Sequence, residues 1–389
     1  MDTAAKRGFS RGEFERRTAR AQQLMGESRL DAMLLTTEAN FRYFTGFQSQ
    51  FWESPTRPWF VVVPQAGKPI AVIPEIGAVG LASTWVEDIR TWPSPRPEDD
   101  GVSLLAETLS EVATRFGRVG AMLGQESHLR MPAANFAQLG QLLGGTEIAD
   151  CNKLMKGLRN VKSAEEIAKI RYICQLTSRG FEHLPQLLRV GETERQNCQR
   201  FRIDLLKRGA DRSPYLMAAS GQGGYDNIIV GPTDRILEAG DIMVIDTGTT
   251  YDGYFCDFDR NFAFVHADDA SRRAYEVIYQ ATDVGFAIAK PGMTTSDIWR
   301  AMWDVLEKGG ALSNDVGRLG HGLGMQLTEQ PSITPTDNTP LQPGMIITLE
   351  PGMTFAPGKQ MVHEENIVIT QNGAELLTRR ASPELPIVG

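Results

Sequence analysis

Hydrophobic and polar positions follow two different rhythms along the chain. Over the first ~155 residues, short apolar runs alternate with longer stretches of helical spacing. LDAMLLTT (30–37), PWFVVVP (58–64), PIAVIPE (69–75) and VGAMLG (119–124) have the length and the apolar character of buried strands. Between them, SLLAETLSEVATRF (103–116) places Leu104, Leu105, Leu109, Val112 and Phe116 on one helical stripe, and Glu13 to Met25 reads as a polar helix. Strand alternating with helix is an α/β pattern.

The rhythm changes near CNKLMKGLRNVKSAEE (151–166), which predicts a boundary between residues 1–157 and 158–389. Ser163, followed by Glu165 and Glu166, caps the helix that opens the second part. Beyond it come strand pairs. DIMVIDTGTTYDGYFCDFDRNFAFV (241–265) is two strands around an Asp252-Gly253 hairpin turn, and PGMIITLEPGM and KQMVHEENIVIT are two more strands. Two helices lie between these pairs, one stopped by Pro291-Gly292 and one by Gly309-Gly310. Helices beside paired antiparallel strands make this part α+β.

Composition narrows the function. Forty Lys+Arg against 48 Asp+Glu give a net charge of −8, with no basic block to bind nucleic acid or an anionic membrane. Cys151, Cys174, Cys198 and Cys256 are scattered, with no CxxC pair. The charged N-terminus carries no apolar leader and no run reaches membrane-spanning length, so a cytoplasmic location is expected. The five histidines include no pair three or four apart, which excludes HExxH zinc sites. Any metal would be held mainly by carboxylates, which favour hard ions.

The hairpin supplies such carboxylates. With Asp252-Gly253 as a two-residue loop, Asp246 and Asp257 fall on one face as diagonal neighbours, their Cβ atoms roughly 7 Å apart. Asp259 shares that face, opposite Asp246. Three acids on one side of an apolar hairpin are costly unless cations neutralise them or water covers them. Downstream, RLGHGLG (318–324) presents His321 between glycines, and TLEPG (348–352) and HEENIVIT (363–370) add further acids. Of Glu364 and Glu365, only one can share a face with the hairpin acids.

IDTGTTYDGYFCDFDR, GHGLG, LEPG and HEEN resemble the pita-bread metallohydrolases, a family that includes methionine aminopeptidase, prolidase, aminopeptidase P and creatinase. NFRYFTGF (40–47) looks like the start of the creatinase/prolidase N-terminal domain, and VKSAEEIAKIR like the entry to the catalytic one. The resemblance implies an α+β pita-bread catalytic domain preceded by an α/β creatinase-type domain. It implies two divalent ions, Mn²⁺ first with Fe²⁺, Co²⁺ or Zn²⁺ open, on Asp246, Asp257, His321, Glu350 and Glu364, the second and last of these bridging. Glu350 or the bridging pair, which includes Asp257, would take the proton from the attacking water. A homodimer is implied too, in which Trp52 and Arg57 reach the other subunit's site and hold a substrate carboxylate or cationic head.

The chain departs from the peptidases at three places. Where prolidases carry a second histidine seven residues after the ligand histidine, this chain has Thr328. Where they carry another before the first metal strand, it has Ile229 or Val230, and Val362 stands for their arginine. Threonine cannot shuttle a proton near neutral pH as histidine does. His363, Glu329, Tyr225 and Asp226 are the candidate substitutes, with Tyr225, Thr328 and His363 as substrate contacts. The leading expectation is a dinuclear hydrolase of the Xaa-Pro peptidase class acting on a dipeptide-like or small amino-acid-derived substrate. The alternatives are a non-peptidase of the same fold, cleaving a betaine, sulfonium or guanidino carboxylate, and more distantly a non-catalytic binding protein.

Overall fold

The computed structural model describes residues 4–313 and 317–389. The chain divides into two compact units, Arg7–Arg159 and Asn160–Gly389, with residues 4–6 joining the second. Among the described residues no helix is long and apolar enough to cross a membrane.

The N-terminal unit is built on six strands: β1 Ala32–Leu35, β2 Phe60–Pro64, β3 Ile70–Pro74, β4 Asp88–Trp92, β5 Arg118–Ala121 and β6 Glu147–Asp150, in spatial order β4-β3-β2-β1-β5-β6. The β1–β2 and β2–β3 pairs are antiparallel and the rest parallel, so the sheet is mixed. β1, β2 and β3 are buried at every position, which is why they read as unbroken apolar runs. β4 and β6 escape that criterion because their exposed and half-buried positions break the run. The helix Val102–Val112 ends before Phe116, the expected limit. The Asp31 carboxylate accepts from the backbone N–H of Arg115, Phe116 and Arg118 at 3.0, 2.8 and 3.2 Å, and so claims the donors a longer helix would use. Leu34, Phe60, Val62, Val72, Trp92, Leu105 and Leu109 form the core.

The second unit opens with the helix Ala164–His183, whose Ser163 and Glu166 close a full capping box. Its first sheet contains β7 Arg212–Gln222, β8 Asp241–Tyr251, β9 Tyr254–Phe255 and β10 Phe258–Phe264. β8 and β9 turn through Asp252 and Gly253, both at positive φ (49° and 71°), as a two-residue hairpin requires. Asp252 is buried against Lys169 at 2.8 Å, which ties the turn to the opening helix.

The second sheet contains β11 His321–Gly322, β12 Glu329–Ser332, β13 Ile346–Leu349, β16 Glu365–Ile369 and β17 Ala374–Leu376, in order β12-β11-β13-β16-β17. A separate ribbon pairs β14 Gly352–Ala356 with β15 Lys359–Val362. The short β18, Ile387–Val388, runs parallel beside β10. The segment expected as one strand over KQMVHEENIVIT is thus two, interrupted at His363 and Glu364. Helices Asp269–Ile288 and Thr295–Lys308 contribute Ile278 and Met302 to a core shared with Val244, Leu349 and Ile367.

Candidate metal centre

Four short pieces of chain bring acids and one imidazole to a single cavity of about 200 Å³. β8 and β10 pair Asp246 with Asp259 and Thr247 with Phe258, so the hairpin has the register expected from its turn and lays Asp246, Asp257 and Asp259 along the cavity wall. Asn366 fixes the backbone of Asp257: its Oδ1 accepts from Asp257 N at 3.0 Å and its Nδ2 donates to Asp257 O. β11 brings His321, the turn after β13 brings Glu350, and the break between β15 and β16 brings Glu364.

Glycine makes the approach of β11 possible. A Cβ on Gly322 would lie 2.1 Å from the carbonyl oxygen of Gln330, and one on Gly320 (φ +140°) would lie 2.3 Å from that of Thr348. His321 Nδ1 lies 2.9 Å from the Gly322 carbonyl, so it carries the proton and donates there, leaving the Nε2 lone pair turned to the cavity. Nε2 is 3.4 Å from Asp257 and 4.0 Å from Glu350. Donor atoms of Asp257, His321 and Glu364 all lie within 4.8 Å of one another.

The electrostatics suit cations. Asp246, Asp257, Asp259 and Glu364 each have a buried carboxylate oxygen with no hydrogen-bond partner. Burial, then repulsion from neighbouring acids, holds Asp246, Asp259 and Glu364 far above the ordinary carboxylate range. Burial raises Asp257 to about 8 and Glu350 to about 7, the nearby Arg318 charge opposing the rise in both. Burial also depresses His321, keeping its imidazole neutral. Bare buried acids beside a neutral imidazole with a free lone pair fit a pair of divalent ions and fit little else.

Of the expected substrate contacts, Thr328 lines the cavity; of the pair 229/230, Ile229 is among its lining residues. Tyr225 does not: it is buried, donating to Asn261 Oδ1 at 2.9 Å and accepting from Val362 N at 2.8 Å. His363 does not line the cavity, although Val362 and Glu364 on either side of it do. It is buried against Tyr279, Arg380 and Glu365, and burial lowers it to about 4, too low for a proton shuttle at neutral pH. Glu329 is held by Lys162 at 3.2 Å, and Asp226 is exposed outside the cavity lining. Trp52 and Arg57 belong to the N-terminal unit. There Trp52 packs on Phe41 and Trp59 with Arg130 over its ring, and Arg57 lies 5.5 Å from the Phe51 ring.

Arg318 and Tyr215 are cavity residues that the motifs leave unmarked. Arg318 Nη2 donates to Thr328 Oγ1 at 3.2 Å and meets no acid within ion-pair distance among the described residues. Its place three residues before His321 is the one sequence signal for it. Tyr215 sits on β7 Arg212–Gln222, and no motif singles it out.

Comparison with known proteins agrees with this geometry. Residues 168–372 match Metallopeptidase family M24, and residues 17–161 match the Creatinase/Prolidase N-terminal domain. The chain is 28% identical over 374 residues to a probable dipeptidase PepE of Mycobacterium tuberculosis, covering 95% of each chain. It is 27% identical over 365 residues to the uncharacterized peptidase YqhT of Bacillus subtilis, covering 92% of this chain and 96% of that one. The crystal structure of dipeptidase PepE from Mycobacterium ulcerans superposes with a TM-score of 0.85 at 27% identity, over 98% of this chain and 99% of that one. An Xaa-Pro dipeptidase from Bacillus anthracis shares the fold, with a TM-score of 0.85 at 22% identity over 96% and 100% of the two chains.

Proposed function

The chain belongs to metallopeptidase family M24 and is a metallohydrolase, and from that premise we propose that it is a dipeptidase of the Xaa-Pro class. The names of its relatives weigh toward a peptide substrate, against the lyase, amidinohydrolase and binding-protein readings. The observation that carries the proposal is the set of buried acids left without partners around His321.

Asp246, Asp257, His321, Glu350 and Glu364 would hold two divalent ions, Mn²⁺ in the first place. Such ions, when bound, acidify water and polarise a scissile carbonyl. Glu350 faces the cavity with 26% of its side chain exposed, and its carboxylate is placed to take a proton from an attacking water. Arg318, a permanent cation on the wall, suits the free carboxylate of a dipeptide, and its hydrogen bond to Thr328 fixes its direction. No histidine replaces the two that related peptidases carry, so Glu350 is also the group that returns the proton to the leaving nitrogen.

The functional division at residues 157/158 assigns catalysis to the C-terminal part. The N-terminal part serves assembly as a homodimer, each subunit lending its Trp52 and Arg57 to the other's site. Four unpaired, buried thiols are consistent with a reducing cytoplasm. The test is hydrolysis of Xaa-Pro dipeptides by Mn²⁺-loaded protein. Asp257→Ala should lose bound metal and activity together; a variant that keeps full activity overturns the proposal.

A further inference from the structure

Among the described residues, side-chain carboxylate oxygens that are buried and without a partner occur on four residues: Asp246, Asp257, Asp259 and Glu364. Other buried acids of the same unit are saturated. Asp252 has Lys169 at 2.8 Å, Asp241 has Arg235 at 2.6 Å, and Glu365 has Arg260 at 3.0 Å. Three members of the bare group belong to the proposed ligand set. The fourth, Asp259, has the same signature and no assigned task.

Its position explains the likeness. Asp259 on β10 is the direct cross-strand partner of Asp246 on β8, and both line the cavity. It is 2% exposed. The adjacent Arg260 could have neutralised it, yet Arg260 Nη1 donates to the Asp259 backbone carbonyl at 2.6 Å and gives its other amino group to Glu365. An acid so placed, with a cation one residue away serving other groups, is costly to bury unless something in the cavity meets it.

We infer that Asp259 is a sixth donor of this centre, an additional oxygen ligand to the ion held by Asp246. The inference rests on the two-metal reading above. Charge balance agrees with it: the five cavity carboxylates match two divalent ions and the Arg318 guanidinium, whereas four would leave the cavity one charge positive. An extra hard oxygen donor favours ions that take six ligands, Mn²⁺ or Fe²⁺, over four-coordinate Zn²⁺.

The experiment is metal titration of the full chain, stripped by chelator, comparing the natural protein with Asp259→Asn and, as a second variant, Asp259→Thr. Mn²⁺ binding is read by calorimetry, and Co²⁺ binding by its visible absorption, which strengthens as coordination number falls. Circular dichroism confirms folding. The natural protein should bind two ions. The folded variant should keep one at unchanged affinity and bind the other at least about tenfold more weakly, the floor seen even for outer-shell partners, with a stronger Co²⁺ band. Two ions bound by the variant with unchanged affinity and spectrum overturn the sixth donor and leave the two-metal reading standing. A natural protein that binds no divalent ion overturns both.

Discussion

Glu364 and Glu365 are adjacent, chemically identical and equally buried, yet their surroundings drive them in opposite directions. Glu364 faces other acids and is held protonated above the ordinary range by burial and their repulsion. Glu365 is also opposed by burial, but Arg260, His363 and Arg380 outweigh that and pull it below the ordinary range. Glu364→Gln should therefore lose an ion while the fold survives chelation, read by metal content and thermal melting. Glu365→Gln should instead cost about 3–5 kcal/mol of stability, because it leaves the buried Arg260 without its acid; denaturant melts of the metal-free forms separate the two. Tyr225→Phe should cost about 1–3 kcal/mol by stranding the Val362 N–H, with metal stoichiometry unchanged. If Arg318 holds the substrate carboxylate as proposed, Arg318→Met should raise KM for dipeptides more than it lowers kcat, because such a contact acts before and during reaction alike. The family resemblance marked Asp246, Asp257, His321, Glu350 and Glu364, and the fold brings all five to one cavity. Residue type and spacing could not tell that Tyr225 faces away, because that depends on hydrogen bonds to Asn261 and Val362, 36 and 137 positions distant in sequence.

The hairpin was the most legible element, because a two-residue turn fixes register and register fixes faces. Asp252 and Gly253 sufficed to place Asp246, Asp257 and Asp259 together. β7, β4 and β6 were not legible as apolar runs, since each mixes exposed with buried positions. The glycines around His321 announced a close approach but not its partners, Gln330 in β12 and Thr348 in β13. Gly322→Ala should push β11 from Gln330, cost at least about 1–3 kcal/mol, and weaken metal binding although residue 322 is no ligand. Parallel thermal melts and metal titrations check it.

At the scale of the whole molecule, the centre couples stability to pH and to metal. Asp257 and Glu350 titrate near 8 and 7 in the folded metal-free protein but near the ordinary carboxylate value when unfolded. Between about pH 6.5 and 8 the folded state therefore binds more protons than the unfolded one, and metal-free stability falls as pH rises. His363, lowered to about 4, titrates below that window and does not offset the trend. Divalent ions bind the deprotonated forms, so the loaded protein should lose this slope, and an ion at 100 times its Kd should add about 2.7 kcal/mol. Melting temperatures across pH, with and without Mn²⁺, measure both. The donors are also widely spread: about 120 residues separate Asp246 from Glu364. During translation the hairpin acids are made roughly 6–24 s before Glu364, at ordinary elongation rates of about 5–20 residues per second. Until then the nascent chain has an incomplete ion cradle, and metallation is one of the last events in the making of the protein.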